Sequence, residues 1–193
     1  MFLKRIFDIT VSVIGLIILS PVLLIIAFLI KLFTPGPVFF LQVRAGRHGI
    51  PFKIIKFRTM VVGHSGSSVS VKGESRITPL GSRLRKYKLD ELPELWNILA
   101  GQMSFVGPRP DVLEYVNRLN EDEKRILDLR PGLTSPASLK YSNEEEILET
   151  VSDPIRYFDE VIWPDKMKMN LEYCSSRTFV GDIELIIKTI FRS

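Results

Sequence analysis

The sequence is poor in the residues that most often build a site on their own. Among 193 residues there is one cysteine, Cys174, so no internal disulfide can form. A reducing compartment is expected, and Cys174 reads as a small buried apolar side chain. There are two histidines, His48 and His64, both in glycine-rich loop sequence. Neither has converging partners nearby, and no Cys/His tract occurs, which excludes a structural zinc site. Acids are missing between Asp8 and Glu74, and charge of either sign is missing from Ile9 to Ile30. No internal repeat and no low-complexity tract is present.

What is there is unevenly placed. The formal net charge is +4. Residues 1–90 hold 14 Lys/Arg against three acids, and residues 91–193 hold 12 against 19. A basic half meets something anionic: lipid head groups, phosphates or nucleic acid.

The run "ITVSVIGLIILSPVLLIIAFLI", Ile9 to Ile30, has 22 residues. As a helix it reaches about 33 Å, the thickness of a bilayer's hydrocarbon core. It is too long for a signal peptide and has no cleavage site after it. It is apolar on every face, unlike a core helix. Ser20-Pro21 lies in its middle, where proline removes a donor and kinks the helix. Both flanks are basic, with Lys4 and Arg5 before and Lys31, Arg44, Arg47, Lys53, Lys56 and Arg58 after. Positive flanks prefer the cytoplasmic side. The residues leave two topologies open: a kinked span, or a re-entrant helix that bends at Ser20-Pro21 and leaves by the face it entered.

Beyond "TPGP" at 34–37, "VFFLQVRAG" and "PFKIIKFRTM" read as paired strands or a hairpin. "VVGHSGSSVSVKGES" reads as a loop. Leu80 to Leu99 carries a helical stripe of Leu84, Leu92, Leu95, Trp96 and Leu99, which Pro93 should break in two. "GQMSFVGPRPD" predicts a turn, a short strand and a loop. Asp111 to Leu129 predicts an amphipathic helix, "RPGLTSP" a loop, and Tyr141 to Arg177 irregular to helical structure. Asp182 is expected to cap a last, Ile-rich helix. The fold class is α+β, mostly helical. It comprises an N-terminal apolar helix (residues 1–35) fit for a membrane and a small second domain (36–193) with short strands and amphipathic surface helices.

The most informative stretch is "KLDELPELWN", with adjacent acids Asp90 and Glu91 before Pro93. One reading is punctuation, since Asp is a favoured N-cap. The other is chemistry. A helix start offers N–H groups and positive potential to phosphate. Arg83, Arg85, Lys86 and Lys88 precede the pair, and Arg109 follows in "GPRP". A carboxylate nucleophile attacking phosphorus needs such cations, and a divalent metal. The residues alone leave both readings open.

"KFRTM" at 56–60, "LDELPELWNIL" at 89–99, "GQMSFVGPRP" at 101–110 and "RPGLT" at 130–134 follow a Ser-Pro-bearing apolar segment in this order. In that order they resemble the bacterial sugar transferase family, in its small monotopic phosphoglycosyl transferase type without extra N-terminal spans. The resemblance implies a re-entrant helix, kinked at Ser20-Pro21, on the cytoplasmic face of a bacterial inner membrane. It implies transfer of a sugar-1-phosphate from a UDP-sugar to polyprenyl (undecaprenyl) phosphate, with release of UMP, as the first membrane step of surface glycan assembly. Asp90 is then the nucleophile that carries the phosphosugar. Glu91 is its assisting acid, and both hold Mg²⁺. Arg85 and Arg109 match phosphate-holding positions. Lys56, Arg58 and Arg44 line the same basic face, and Asp182 matches a family Asp of less defined role. Implied partners are the bilayer and downstream glycosyltransferases, with a homodimer allowed and no nucleic acid. One departure stands out: "SPASLKYSNEEE", Ser135 to Glu146, lacks the basic residue that many relatives carry there, with Lys140 the nearest substitute.

Two rivals remain at this level. One is a membrane-anchored basic binding module without catalysis. Phe39, Phe40, Phe52 and Phe57 interleave its basic run, but their alternation suits a buried strand face better than base stacking. The other is a phosphohydrolase that uses Asp90 covalently, for which a membrane helix has no purpose.

Overall fold

A computed structural model describes residues 2–62 and 76–191. The predicted loop at 61–75, with His64, falls almost wholly outside them. The chain divides into two compact units. Within the described residues the first holds 2–43, 53–62 and 76–101, and the second holds 44–52 and 102–191.

The first unit is built on α1, Phe2–Phe33, which keeps its helical pattern through Pro21. Proline cannot donate to the carbonyl four residues back, that of Ile17. The Ser20 hydroxyl donates to this oxygen instead, at 2.8 Å. Asp8, Ser12, Leu16, Ile26 and Ile30 form the buried stripe of α1. Its other faces are open, with Ile17, Ile18 and Leu24 about 70% exposed. Ile26 and Ile30 close a small core with Phe57 and Leu84. The upper part of the stripe packs on α3, Glu94–Leu99.

The two helix ends are tied down by arginines. Arg5 donates to the carbonyls of Ile98 and Leu99 at 2.6 and 2.8 Å, taking acceptors that a helix C-terminus leaves open. Arg58 donates to Pro37, Pro35 and Thr34 at 2.6, 2.8 and 2.9 Å, just where the chain leaves α1. Two cations of the basic flanks are therefore capping groups.

Strands β1, Phe39–Ala45, and β2, Pro51–Phe57, form the expected hairpin. Its base belongs to the first unit and its tip to the second. The predicted buried aromatic face is realised only in part. Phe52 and Phe57 are buried, but Phe39 and Phe40 are nearly half exposed. Among the described residues β1 has β2 as its sole neighbour in the sheet, and the Phe39 ring stacks on Phe57 at 5.5 Å.

α2, Pro79–Lys86, starts with Thr78 as N-cap, whose hydroxyl accepts from the Gly81 N–H at 2.9 Å. The break in the 80–99 stripe lies just before Asp90, as a proline in the first turn of a second helix implies, but the α-helix resumes only at Glu94. It falls at Lys88, whose φ of 54° is left-handed. A 3₁₀ turn, Leu89–Glu91, follows, and Pro93 precedes the first residue of α3 without any side-chain cap. The stripe also differs: Glu94, Leu95, Asn97 and Ile98 are buried, and Trp96 is exposed.

In the second unit β3, Ser104–Val106, pairs in parallel with β4, Gly132–Thr134, in register Ser104 to Gly132 and Val106 to Thr134. "RPGLT" is thus a strand and not a loop. Its strand residues pair with partners 28 positions away, Gly132 with Ser104 and Thr134 with Val106, a distance at which local pattern is silent. The helix expected over 111–129 is short. α4 spans Leu113–Val116, and a 3₁₀ segment spans Glu123–Asp128. Between them Asn120 and Glu123 exchange side-chain to backbone bonds, both 2.9 Å, in a capping box that restarts the helix. Then come α5, Pro136–Lys140; α6, Glu144–Glu149; α7, Pro154–Tyr157; a π turn at Phe158–Ile162; α8, Trp163–Ser176; and α9, Phe179–Ile190. Tyr115, Leu148, Phe158 and Ile162 form one core of this unit, and Leu119, Ile126 and Met167 another.

Candidate active site

Asp90 lies in the 3₁₀ turn between α2 and α3, so it is not the N-cap that its position implied. The left-handed Lys88 turns the chain just before it, a conformation costly for a residue with a side chain. Asp90 is buried, and its Oδ1 has no hydrogen-bond partner among the described residues. A capping acid would have spent that oxygen on a helix N–H. Burial pushes the Asp90 carboxyl above its ordinary range and neighbouring Glu91 adds to the rise, while Lys56, Arg85 and Lys88 pull it back. A carboxylate kept from water and ringed by cations is poised for an anionic partner that brings its own positive counter-charge.

Lys56 stands in the same place. Its Nζ lies 2.8 Å from Glu91 Oε1 and 3.2 Å from Glu94 Oε1. The strand β2 carries it, and Asn97 holds that strand: its Oδ1 accepts from the Ile55 N–H at 3.0 Å, and its Nδ2 donates to the Lys53 carbonyl at 2.8 Å. Of the predicted site residues, Asp90, Glu91, Arg85 and Lys56 gather in this unit. Arg58 belongs to the same unit, but its guanidinium serves the exit of α1. Glu94 and Asn97 went unnoticed in the sequence. Polar residues on a helix read as solvent-facing, and only the spacing of Glu91, Glu94 and Asn97 by threes hinted at one face.

The remaining predicted residues belong to the second unit. Arg44 and Arg109 lie near Asp111, with Lys166 and Glu144. Burial raises the Asp111 carboxyl to about 6, against the pull of Lys166, Arg44 and Arg109. The Asp111 backbone carbonyl accepts from the Ala45 N–H at 2.9 Å. Asp182 is not the cap of α9. Thr178 is, accepting from the Gly181 N–H at 3.0 Å. Asp182 is buried one residue further on and accepts from the Tyr173 hydroxyl at 2.6 Å. It borders an open groove of about 300 Å³ with Pro136, Arg177 and Lys188, which the acid pair does not line. Lys140, in the divergent segment, is held by Asp165 at 2.6 Å. His48 pairs loosely with Asp128 at 3.7 Å on the surface, and Cys174 is half-buried beside two apolar clusters.

Among the described residues no group of three or more Asp, Glu, His and Cys forms a metal cage. Magnesium does not need one. It keeps waters and takes one or two carboxylates plus substrate phosphates. The unpartnered buried oxygen of Asp90 beside Glu91 fits that donor set.

The chain is similar to known proteins along its whole length. The family model described as bacterial sugar transferase matches residues 1–193. The sugar transferase EpsL of Bacillus subtilis, itself uncharacterized, is 33% identical over 98% of this chain and 86% of its own length. A UDP-glucose:undecaprenyl-phosphate glucose-1-phosphate transferase of Klebsiella pneumoniae is 36% identical over the whole chain, which spans 40% of that protein. A UDP-N-acetylgalactosamine-undecaprenyl-phosphate N-acetylgalactosaminephosphotransferase of Aeromonas hydrophila is 42% identical over 72% of this chain and 34% of its own length. The chain thus spans well under half of the last two of these relatives. With a family match that runs from its first residue to its last, the chain belongs to the bacterial sugar transferases.

Proposed function

We propose that this chain transfers a sugar-1-phosphate from a UDP-sugar to undecaprenyl phosphate, with Asp90 as the covalent carrier. The observation that carries the reading is the buried Asp90 carboxylate, one oxygen unpartnered, between Lys56, Arg85 and Lys88. In the first step Asp90 attacks the phosphorus next to the sugar. The bond from that phosphorus to the oxygen bridging the two phosphates breaks, and UMP leaves with that oxygen. In the second step a phosphate oxygen of the polyprenyl carrier attacks the same phosphorus, and the Asp90 carboxylate leaves. Glu91 accepts a proton from the incoming phosphate when it arrives protonated. Arg85 meets the phosphate oxygens, as guanidinium does well. Asp90 and Glu91 would hold Mg²⁺, which when bound offsets the negative charge of the transition state.

The second substrate is a lipid, and the membrane helix accounts for access to it. Arg5 near the start of α1 and Thr34 just past its end are both tied into the first unit. A helix that crossed the bilayer would have one of these contacts on the far side. This supports the re-entrant reading, in which Ser20 and Pro21 form the bend and the domain stays on the cytoplasmic face. Tags at residue 1 and after residue 35 should both be cytoplasmic, and a periplasmic N-terminus would refute it.

The test of the chemistry is intact-mass measurement. The chain is incubated with UDP-glucose or UDP-N-acetylgalactosamine and Mg²⁺ but no lipid. A phosphosugar adduct is expected, absent in Asp90→Asn, and undecaprenyl phosphate should discharge it. Release of free sugar phosphate without lipid would identify a hydrolase. No adduct and no UMP with a wider panel of UDP-sugars would leave a binding module.

A further inference from the structure

Glu94 poses a question that the proposed reaction does not answer. It is 1% exposed, although an acid at a helix start is well placed in water. Taking a carboxylate that far from solvent is costly unless a cation compensates. One cation beside it is Lys56, whose Nζ forms an ion pair with Glu94 Oε1 at 3.2 Å and is shared with Glu91. Asn97, one turn along, is buried to the same degree and satisfies the Ile55 N–H and the Lys53 carbonyl. It occupies the place that a neighbouring strand would take on this edge of β2. Successive strand residues alternate in direction, so pinning Lys53 and Ile55 also fixes the direction in which Lys56 projects.

We infer that Glu94 and Asn97 are positioning residues that clamp Lys56 against Glu91, making Lys56 the fixed counter-cation of the acid pair and not a ligand of the substrate diphosphate. The inference rests on the reading of Asp90 and Glu91 as the reacting pair. Its logic is charge balance at short range. Glu91 adjoins Asp90 in the chain, and the Lys56 ammonium lies 2.8 Å from Glu91 Oε1. A lysine is a flexible point charge that would swing onto an arriving phosphate if one contact held it. Two carboxylates and a pinned strand leave it no such freedom, so its charge is in place before the substrate comes. Arg85, by contrast, enters the site from the last turn of α2.

The experiment has two arms on the full-length chain in detergent. The first needs no substrate: lysine acetylation followed by peptide mass analysis, with exposed Lys168 as internal reference. Lys56 in the wild type should react slowly. In Glu94→Gln, which keeps shape and removes charge, Lys56 should react at least about fivefold faster while Lys168 does not change, because a paired ammonium is protected. Glu94→Asp should restore part of the protection. Unchanged labelling of Lys56 in Glu94→Gln overturns the clamp. The second arm is kinetic, with whichever of UDP-glucose and UDP-N-acetylgalactosamine the wild type turns over. Glu94→Gln should lower kcat about 10- to 100-fold, the usual effect of removing a supporting contact, with KM for the UDP-sugar little changed. A rise in KM with kcat preserved would make Lys56 a diphosphate ligand and overturn the inference. Asn97→Ala should show the same kcat-weighted loss. A misfolded Asn97 variant does not affect the decision, which Glu94→Gln supplies. A wild type inactive on every UDP-sugar would sink the proposed function, and the labelling arm would still decide the clamp.

Discussion

Arg5 Nη1 donates to the carbonyl oxygen of Ile98 at 2.6 Å across 93 positions of sequence, joining the first turns of the apolar helix to the end of the helix that follows the acid pair. A second bond from the same guanidinium reaches Leu99 at 2.8 Å. The apolar helix is therefore part of the scaffold that holds Asp90. Charge-assisted bonds to helix-end carbonyls contribute about 2 kcal/mol together. Arg5→Ala should lower the melting temperature by about 4 °C, and Arg5→Lys by less. A thermal melt in detergent checks both, and an unchanged melt for Arg5→Ala would show that the cap is idle.

Asp90→Asn should separate chemistry from stability. The Asp90 carboxyl is raised above its ordinary value in the fold, so its ionised form is net disfavoured there. A carboxyl with a raised folded pKa is worth more to the fold at low pH and less as pH rises through that value. At neutral pH the neutral amide removes the penalty. The variant should form no phosphosugar adduct and melt at or above the wild-type temperature. A large loss of stability would mean that the carboxylate is a structural partner of its cations.

Asp111 gives a stability prediction with a defined window. Its carboxyl titrates at about 6 in the fold, against an ordinary value of 3.8. Between those values the folded state binds more proton than the unfolded chain, so stability falls as pH rises through the window. Asp111→Asn should be more stable than wild type at pH 7.5, by at most about 3 kcal/mol. The difference should vanish by about pH 3, below both values, where the folded and the unfolded wild type are protonated. Urea melts at a series of pH values test this. An Asn variant that is less stable at pH 7.5 would mean that Lys166, Arg44 and Arg109 outweigh burial.

Glycine replacement should discriminate backbone from side-chain neighbours. A Cβ on Gly132 would lie 2.1 Å from the Gly107 nitrogen, and one on Gly107 would lie 2.4 Å from the Arg130 carbonyl. The parallel pair β3–β4 leaves no room for either, and backbone cannot step aside. Either alanine variant should lose about 3 kcal/mol or more. Gly15→Ala meets only Leu95 Cδ1, at 3.3 Å, which can turn away. It should stay within about 1 kcal/mol of wild type, since alanine also favours the helix. Equal effects at Gly15 and Gly132 would contradict the close strand approach.

Local pattern located the apolar helix, the hairpin, the short strand after "GQM" and the acid pair, because each is announced by neighbours in the chain. It misplaced what depends on distant groups. Pro93 implies the break before Asp90, yet it is the left-handed Lys88 that turns the chain there, and the α-helix resumes only at Glu94. "RPGLT" carries too few residues to show strand alternation, and its pairing with β3 lies outside any local window. Asp182 sits where a cap is expected, but Thr178 four residues earlier takes that task and frees Asp182 for Tyr173. Asn120 and Glu123 spell a capping box in plain sequence, a signal overlooked within an amphipathic run.

By itself the sequence determined the class of molecule. Apolar length, a basic first half and the scarcity of cysteine and histidine bound that class, and the ordered motifs, through the family they resemble, imply phosphate chemistry at a membrane. Each is a property of residue type and order. Only the tertiary structure decided which polar groups are withdrawn from water. Asp90 with an unpartnered oxygen, Glu94 and Asn97 behind Lys56, Arg5 on Ile98 and Arg58 on Thr34 are decisions of burial. A charged or amide side chain has the same appearance in sequence whether it faces solvent or a buried carbonyl. The difference arises from which distant backbone comes to lie against it, and that is settled when the chain packs.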